Sequence, residues 1–289
     1  MRKGYTQEEV SYGICTAASL SRIENGAQKP GRLIMEKLFE RLGTENNLFN
    51  SFVSREEMEL YSAIQELIRN VTDAEIDKIY KQILIVEKLT ENTSDLERQC
   101  LLFAKGELIK RKEKDYSTAI EWLMKAIHIT LPDFDGENPL RNNLLTFDEI
   151  MIINGIAILH AKSGNVMTAI QLDMWLKEYM EDKIVDGTMK KAKYPMIIYN
   201  LSNWFGNKQC HTEALKLADE GINFCVKYGN LVILPSLILN KGVALVELGD
   251  IDDARKYLHQ AITIFDVMKK EETIQSVLDW CKTRYNLEI

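Results

Sequence analysis

Four stretches of this sequence can be laid over one another. Gly106, Ala119, Leu123 and Ala126 mark the first, Gly155 and Ala169 the second, Ser202, Ala214, Ala218 and Gly221 the third, and Gly242, Ala254, Leu258 and Ala261 the fourth. A small residue on one helix and an alanine on the next let two backbones approach closely. Turns such as Ser163-Gly164-Asn165 and Leu248-Gly249-Asp250 join the two. From Arg55 onward, apolar residues fall at i, i+3, i+4 and i+7 almost throughout, which is the periodicity of helices. Only 5 prolines and 15 glycines punctuate the 289 residues, so those helices can be long. A chain patterned in this way buries its apolar faces by stacking helical hairpins, and each hairpin needs its neighbours.

The spacing resembles that of tetratricopeptide repeats, although the anchors Ala119, Ala169, Ala214 and Ala254 are separated by 50, 45 and 40 residues rather than by a constant step. A pair of helices at Glu57 to Arg69 and Asp73 to Leu89 opens the array. A helix at Glu272 to Tyr285, carrying Trp280, caps it. The expected fold is all-α: a small helix-turn-helix domain at 1–45, a linker at 46–56, and a right-handed superhelical array of tetratricopeptide-like hairpins at 57–289 with a concave groove.

The helix-turn-helix follows from the first residues. Thr6-Gln7-Glu8-Glu9 fits a capping box, so a helix begins there and runs to about Ile14. A second helix spans Ala17 to Asn25, and Gly26 stops it. With Leu20, Ile23 and the Glu24 stem inward, Ala17, Ala18, Ser21 and Arg22 share the outer face. Charge divides along the same boundary. Residues 1–43 hold seven Lys or Arg against five Glu, a net +2, whereas the remainder carries −9 of the whole chain's −7.

The run Tyr5 to Val10, followed by Ser19-Leu20-Ser21-Arg22-Ile23-Glu24-Asn25-Gly26 and Lys29-Pro30, resembles the helix-turn-helix of Xre/Cro-type bacterial regulators. That resemblance implies that Gln7 bonds a phosphate, that Ala17, Ala18, Ser21 and Arg22 meet base edges with Thr16 also in the DNA-binding set, and that Gln28 and Lys29 lie along the backbone. Arg22 is the best base reader, since a guanidinium can grip guanine bidentately for roughly 1 to 3 kcal/mol of discrimination. One departure from the family pattern is that the helix expected before Gly4-Tyr5-Thr6-Gln7 is represented only by Arg2 and Lys3. A head lacking that support should be less stable.

A head of this kind joined to long-helix repeats resembles the PlcR-like and Rgg-like peptide-sensing regulators over essentially the whole length. The resemblance implies a cytoplasmic transcription factor that binds a double-stranded DNA operator, forms a homodimer through its repeats and senses a short signalling peptide in the groove. The residues support such a groove independently. Asn154, Asn200 and Asn240 recur 15, 14 and 14 residues before the anchors Ala169, Ala214 and Ala254. A ladder of carboxamides can pair with the amides and carbonyls of an extended peptide. Tyr199, Asn203, Trp204 and Lys241 are neighbours able to add specificity, and Lys105 and Lys110 could meet a carboxylate. Trp122, Trp175 and Trp280 are assigned to the core.

Other classes find little support. His128, His160, His211 and His259 are scattered, no H-E-x-x-H or G-x-S-x-G occurs, and adjacent Cys210 and His211 do not face each other on a helix. No enzyme, cofactor or metal site is expected, and the acids of Pro132 to Asn143 lack calcium-loop spacing and read as a solvated connection. Five cysteines without a C-x-x-C pair read as reduced thiols, and neither a secretory segment nor a membrane span is expected. The alternative function is a repeat-based interaction protein whose head no longer reads DNA.

Overall fold

The computed structural model describes residues 4–44, 55–72, 74–90, 94–138, 140, 144–182 and 187–285, and among them it contains fourteen helices and no strand. Two compact units divide the chain, Met1–Gly187 and Thr188–Ile289. The first holds α1 (Gln7–Ser11), α2 (Ala17–Glu24), α3 (Arg32–Arg41), α4 (Arg55–Asn70), α5 (Ile76–Leu89), α6 (Asp95–Lys112), α7 (Tyr116–Ile127), α8 (Phe147–Lys162) and α9 (Val166–Asp182). The second is built from α10 (Gly187–Asn207), α11 (His211–Tyr228), α12 (Leu234–Glu247), α13 (Ile251–Val267) and α14 (Glu271–Tyr285).

The repeat pattern is present as hairpins. All four anchor alanines are buried, at 0 to 2% exposure. The glycines opposite three of them are packed against leucines, and Ser202 donates to the Ala214 carbonyl at 2.9 Å. A Cβ at Gly106 would lie 2.9 Å from a Leu123 methyl, one at Gly155 3.0 Å from the other Leu123 methyl, and one at Gly242 2.8 Å from Leu258. Leu123 of α7 is therefore wedged between α6 and α8. The opening pair appears as α4 and α5, and the capping helix as α14.

In the head, Thr6 and Glu9 form the expected reciprocal cap. α1 is shorter than expected, ending at Ser11, because the chain turns through Gly13 at φ +68°. Thr16 caps α2 by accepting from the Ser19 amide at 3.0 Å. Helix α3 was not foreseen, since its run Arg-Leu-Ile-Met-Glu-Lys-Leu-Phe-Glu-Arg has charges on the side that turns out to be buried. The head is not a separate body: its core of Val10, Ile14, Leu20 and Leu38 is completed by Leu96 at the start of α6 and by Leu144. The expected linker at 46–56 lies outside the described residues except for Arg55 and Glu56, which begin α4.

The connection after α7 also differs from the solvated loop read from its acids. Phe134 is fully buried, and the His128 and His160 rings bond the Phe134 and Gly136 carbonyls at 2.7 and 3.1 Å. Asp135 accepts from the Glu137 and Asn138 amides, which ties its carboxylate into a local turn. The Tyr12 hydroxyl donates to Asp133 at 2.9 Å, so this loop is one of the surfaces on which the head rests.

Candidate DNA-reading helix and repeat pocket

On α2, Ala18 and Arg22 are exposed and Ala17 and Ser21 half-exposed, so the expected reading face is open to solvent. Among the described residues, Arg22 donates to Ser19 Oγ, at 3.3 Å, rather than pairing with Glu24. Gln28 and Lys29 are also exposed. Thr16 has its hydroxyl committed to the α2 cap. Gln7 differs from expectation: its amide donates to Glu24 Oε2 at 2.5 Å, and Glu24 is an exposed carboxylate rather than a buried stem. A phosphate approaching Gln7 would have to displace that bond and meet the carboxylate.

The head's +2 is not its surface charge. Lys37 and Arg41 are buried at 3% exposure, their charges facing the first turn of α8. Arg41 Nη2 donates to Glu149 at 2.9 Å, while its Nη1 donates to the carbonyls of Val10, at 3.3 Å, and of Tyr12. Lys37 Nζ lies 2.9 Å from both Asp148 and Glu40, and Glu40 accepts the Phe147 amide at 2.8 Å. Burial alone would depress the Lys37 ammonium, but Asp148, Glu40 and Glu36 overcome it and hold it well above its ordinary value. Among the described basic residues of the head, Arg32 stacks on Tyr61 at 3.9 Å, which leaves Arg22 and Lys29 as the cations facing water.

Burial lifts the Glu40 carboxyl to about 7, against the pull of Lys37 and with a further push from Asp148. Because that value exceeds the 4.5 of an ordinary glutamate, the folded form holds this proton more tightly than the unfolded chain. The resulting stabilisation is complete below pH 4.5 and is lost as pH rises through about 7. Chemical denaturation of the full chain should therefore show unit Met1–Gly187 weaker at pH 8 than at pH 6 by about 1 kcal/mol. Glu40→Gln should flatten that difference, and an unchanged pH slope in this variant would refute the assignment.

The expected peptide residues are dispersed. Asn154 is buried and its amide nitrogen lies 3.0 Å from both oxygens of the Asp173 carboxylate on α9, so it ties α8 to α9 and presents no donor to a groove. Asn200 is buried, and Trp204 is 8% exposed. Lys105 meets Glu87 at 2.6 Å, Lys110 pairs with Glu107, and Lys241 pairs with Asp219 at 2.6 Å while lying 4.1 Å over the Tyr257 ring. Tyr199 is half-buried, its carbonyl accepting from Asn240 at 3.4 Å.

Two of the expected residues do share a cavity. In the second unit, α10, α12 and α14, with the first turn of α11, line a cavity of about 720 Å³. Asn203, Asn207, Gln209 and Asn240 contribute carboxamides to it, and Leu239, Val243 and Val277 apolar surface. The far wall is α14, with Trp280 and Tyr285 edge to face at 4.9 Å. Glu247 accepts from Arg284 at 3.0 Å and from the Tyr285 hydroxyl, and His211 Nε2 stands 3.9 Å away. The Tyr285 bond, helped by the Arg284 and His211 charges, holds the Glu247 carboxyl below its usual range against the opposing effect of burial. Helix α14, expected only as a cap, thus also walls a cavity. Trp122, Trp175 and Trp280, assigned to the core, are all half-buried, and Trp280 lines this cavity.

A second cavity, about 420 Å³ and mostly apolar, opens in the head between α1, α2 and α3, lined by Tyr5, Val10, Leu20, Met35 and Phe39 among others. Among the described residues, no helix is long and apolar enough to cross a membrane, and no group of three or more His, Cys, Asp or Glu could hold a metal ion.

A tetratricopeptide repeat family model matches residues 235–265, which are α12 and α13. No curated protein matches the sequence. Among solved structures, the fold matches Bacillus thuringiensis PlcR in complex with the peptide PapR7 and DNA, with a TM-score of 0.67 at 18% identity over 96% of this chain and 95% of that one. The apo form of PlcR gives 0.63 at 18% identity, with 95% and 94% covered. BtubC (BKLC) from P. vanneervenii gives 0.51 at 13% identity, covering 75% of this chain and 93% of that one. The fold is thus that of PlcR, with tetratricopeptide-like repeats.

Proposed function

We propose that this chain is a DNA-binding transcriptional regulator whose repeat domain binds a short signalling peptide. The observation that carries this reading is the full-length likeness to PlcR, which was crystallised with a peptide and DNA, in a chain that also has an exposed Arg22 face and an amide-lined cavity. DNA contact falls to Ala17, Ala18, Ser21 and Arg22, with Gln28 and Lys29 on the backbone. Peptide contact falls to Asn203 and Asn240, joined by Gln209, Trp280 and Tyr285. Asn154, bonded to Asp173, takes no part in peptide contact. A homodimer would place two heads on two half-sites, and peptide binding would act by favouring one arrangement of the pair.

Two measurements test it. In selection from random double-stranded oligonucleotides, the full chain should enrich a defined motif, and Arg22→Ala should weaken the selected duplex roughly 5- to 150-fold with relaxed preference at one base pair. Calorimetric titration with pools of peptides of about five to eight residues should give saturable binding that Asn203→Ala with Asn240→Ala reduces at least tenfold. No enriched motif would remove the DNA half of the proposal, and no peptide response would remove the other half.

One observation favours the second reading, a repeat-based interaction protein with a head that does not read DNA. Gln7 is bonded to Glu24, and two of the head's cations are buried, which leaves few groups to neutralise phosphates. Under that reading random duplexes give no motif, and the repeat unit captures protein partners instead.

A further inference from the structure

We propose that Arg41 and Lys37 of α3, together with Glu149 and Asp148 at the start of α8, are positioning residues that fix the attitude of the reading helix α2 to the repeat body. The proposal rests on the DNA-reading assignment of α2 and adds how that helix is held.

The side chains interlock in both directions. Arg41 spans from the carbonyls of Val10 and Tyr12, at the end of α1, to Glu149 on α8, and both side chains of the Arg41–Glu149 pair are fully buried. Glu149 at the same time accepts the Thr146 amide at 2.6 Å as part of the α8 cap. Lys37 reaches Asp148, and Glu40 takes the Phe147 amide, so the first three residues of α8 are each bonded to α3. From there the path to α2 is apolar: Leu38 of α3 packs with Val10, Ile14 and Leu20, and Leu96 of α6 joins the same cluster. Gly13 lies against the Thr130 backbone on the other side.

A hinge needs a segment whose contacts can be broken cheaply. Here the seam contains buried charges of both signs, each of which would be left unpaired and poorly hydrated by a partial opening. The interface is consequently bistable, docked or fully released, and in the docked state α2 moves only with α8. A displacement of α8 within its repeat is delivered to the DNA face without loss.

The test uses full-length protein lacking Cys15 and Cys210, spin-labelled at Ala18→Cys on α2 and Met167→Cys on α9, both exposed positions of the first unit. The distance distribution measured by pulsed electron resonance should be single and narrow. Glu149→Gln and Lys37→Met, each keeping side-chain length and removing one charge, should broaden it or add a second population while far-UV helicity is unchanged. On unlabelled protein, affinity for a selected duplex should fall at least tenfold. Distributions that stay narrow in both variants overturn the proposal. Should Glu149→Gln fail to fold, Lys37→Met and the peripheral Tyr12→Phe give the same readout at milder cost. If the wild type selects no duplex, the DNA assignment fails while the distances still decide whether the head is fixed to α8.

Discussion

Gly13→Ala should be the most damaging single-methyl change in the head, lowering the stability of the first unit by about 3 kcal/mol or more and releasing the head from the repeats. Two costs combine. Gly13 has φ +68°, a region in which an alanine loses roughly 1 to 2 kcal/mol. Its Cβ would also sit 2.1 Å from the Thr130 carbonyl oxygen and 2.7 Å from the adjoining backbone carbons. Thr130 is fully buried, so that backbone cannot retreat into solvent. Gly26→Ala supplies the control, since its φ of +71° carries the same conformational penalty but no atom lies within 4 Å of the added carbon. Its expected cost is only the first component. Equilibrium denaturation of both variants, with hydrogen exchange at α1 and α2, measures the difference, and equal losses would show that the head does not rest on Thr130.

Leu123→Ala should cost roughly 2 to 5 kcal/mol, the range for a fully buried leucine whose surroundings relax incompletely. The relaxation is limited here because Leu123 fills the notches over Gly106 and Gly155 on two different helices. Neither glycine has a side chain that could swing into the void, so α6, α7 and α8 would have to move as whole helices. Because α8 also carries Asp148 and Glu149, part of the loss should reach the head, seen as faster hydrogen exchange in α1 and α3 as well as in α7. Exchange confined to α7 would argue against that linkage.

Much of the repeat architecture was legible because its requirements are local. A glycine facing a leucine and an alanine at a helix crossing recur wherever two backbones approach, and Ala119, Ala169, Ala214 and Ala254 mark those crossings directly. The cap at Thr6 was legible for the same reason, being complete within four residues, whereas Thr16, expected to meet DNA, caps α2. Helix α3 escaped because Lys37 and Arg41 look like a solvated face, and only partners 108 residues away, such as Glu149 for Arg41, make their burial tolerable. Asn154 misled in the opposite sense: its place in the register suggested a ligand, while its actual partner, Asp173, lies on the next helix. In the candidate pocket, the carboxamides Asn203 and Asn240 were readable from sequence. The wall of Trp280, Arg284 and Tyr285 was not, since nothing in a terminal helix announces that it closes a cavity rather than only covering a core.

The shared core of head and repeats has a consequence for the order of synthesis. The ribosome makes the head before the repeats, yet Leu96, Leu144 and Glu149, which complete its interior and neutralise Arg41, emerge later, the last of them 108 residues after Arg41. At the usual elongation rate of about 5 to 20 residues per second, that is a wait of roughly 5 to 20 seconds. During this interval the nascent head has its capping box but not its core, so it should be open to proteases and to chaperones that hold apolar segments. A ribosome-bound chain stalled before residue 144 should expose Val10 and Leu20, and one stalled well beyond α8 should not. The head, translated ahead of the repeats, is finished only with them.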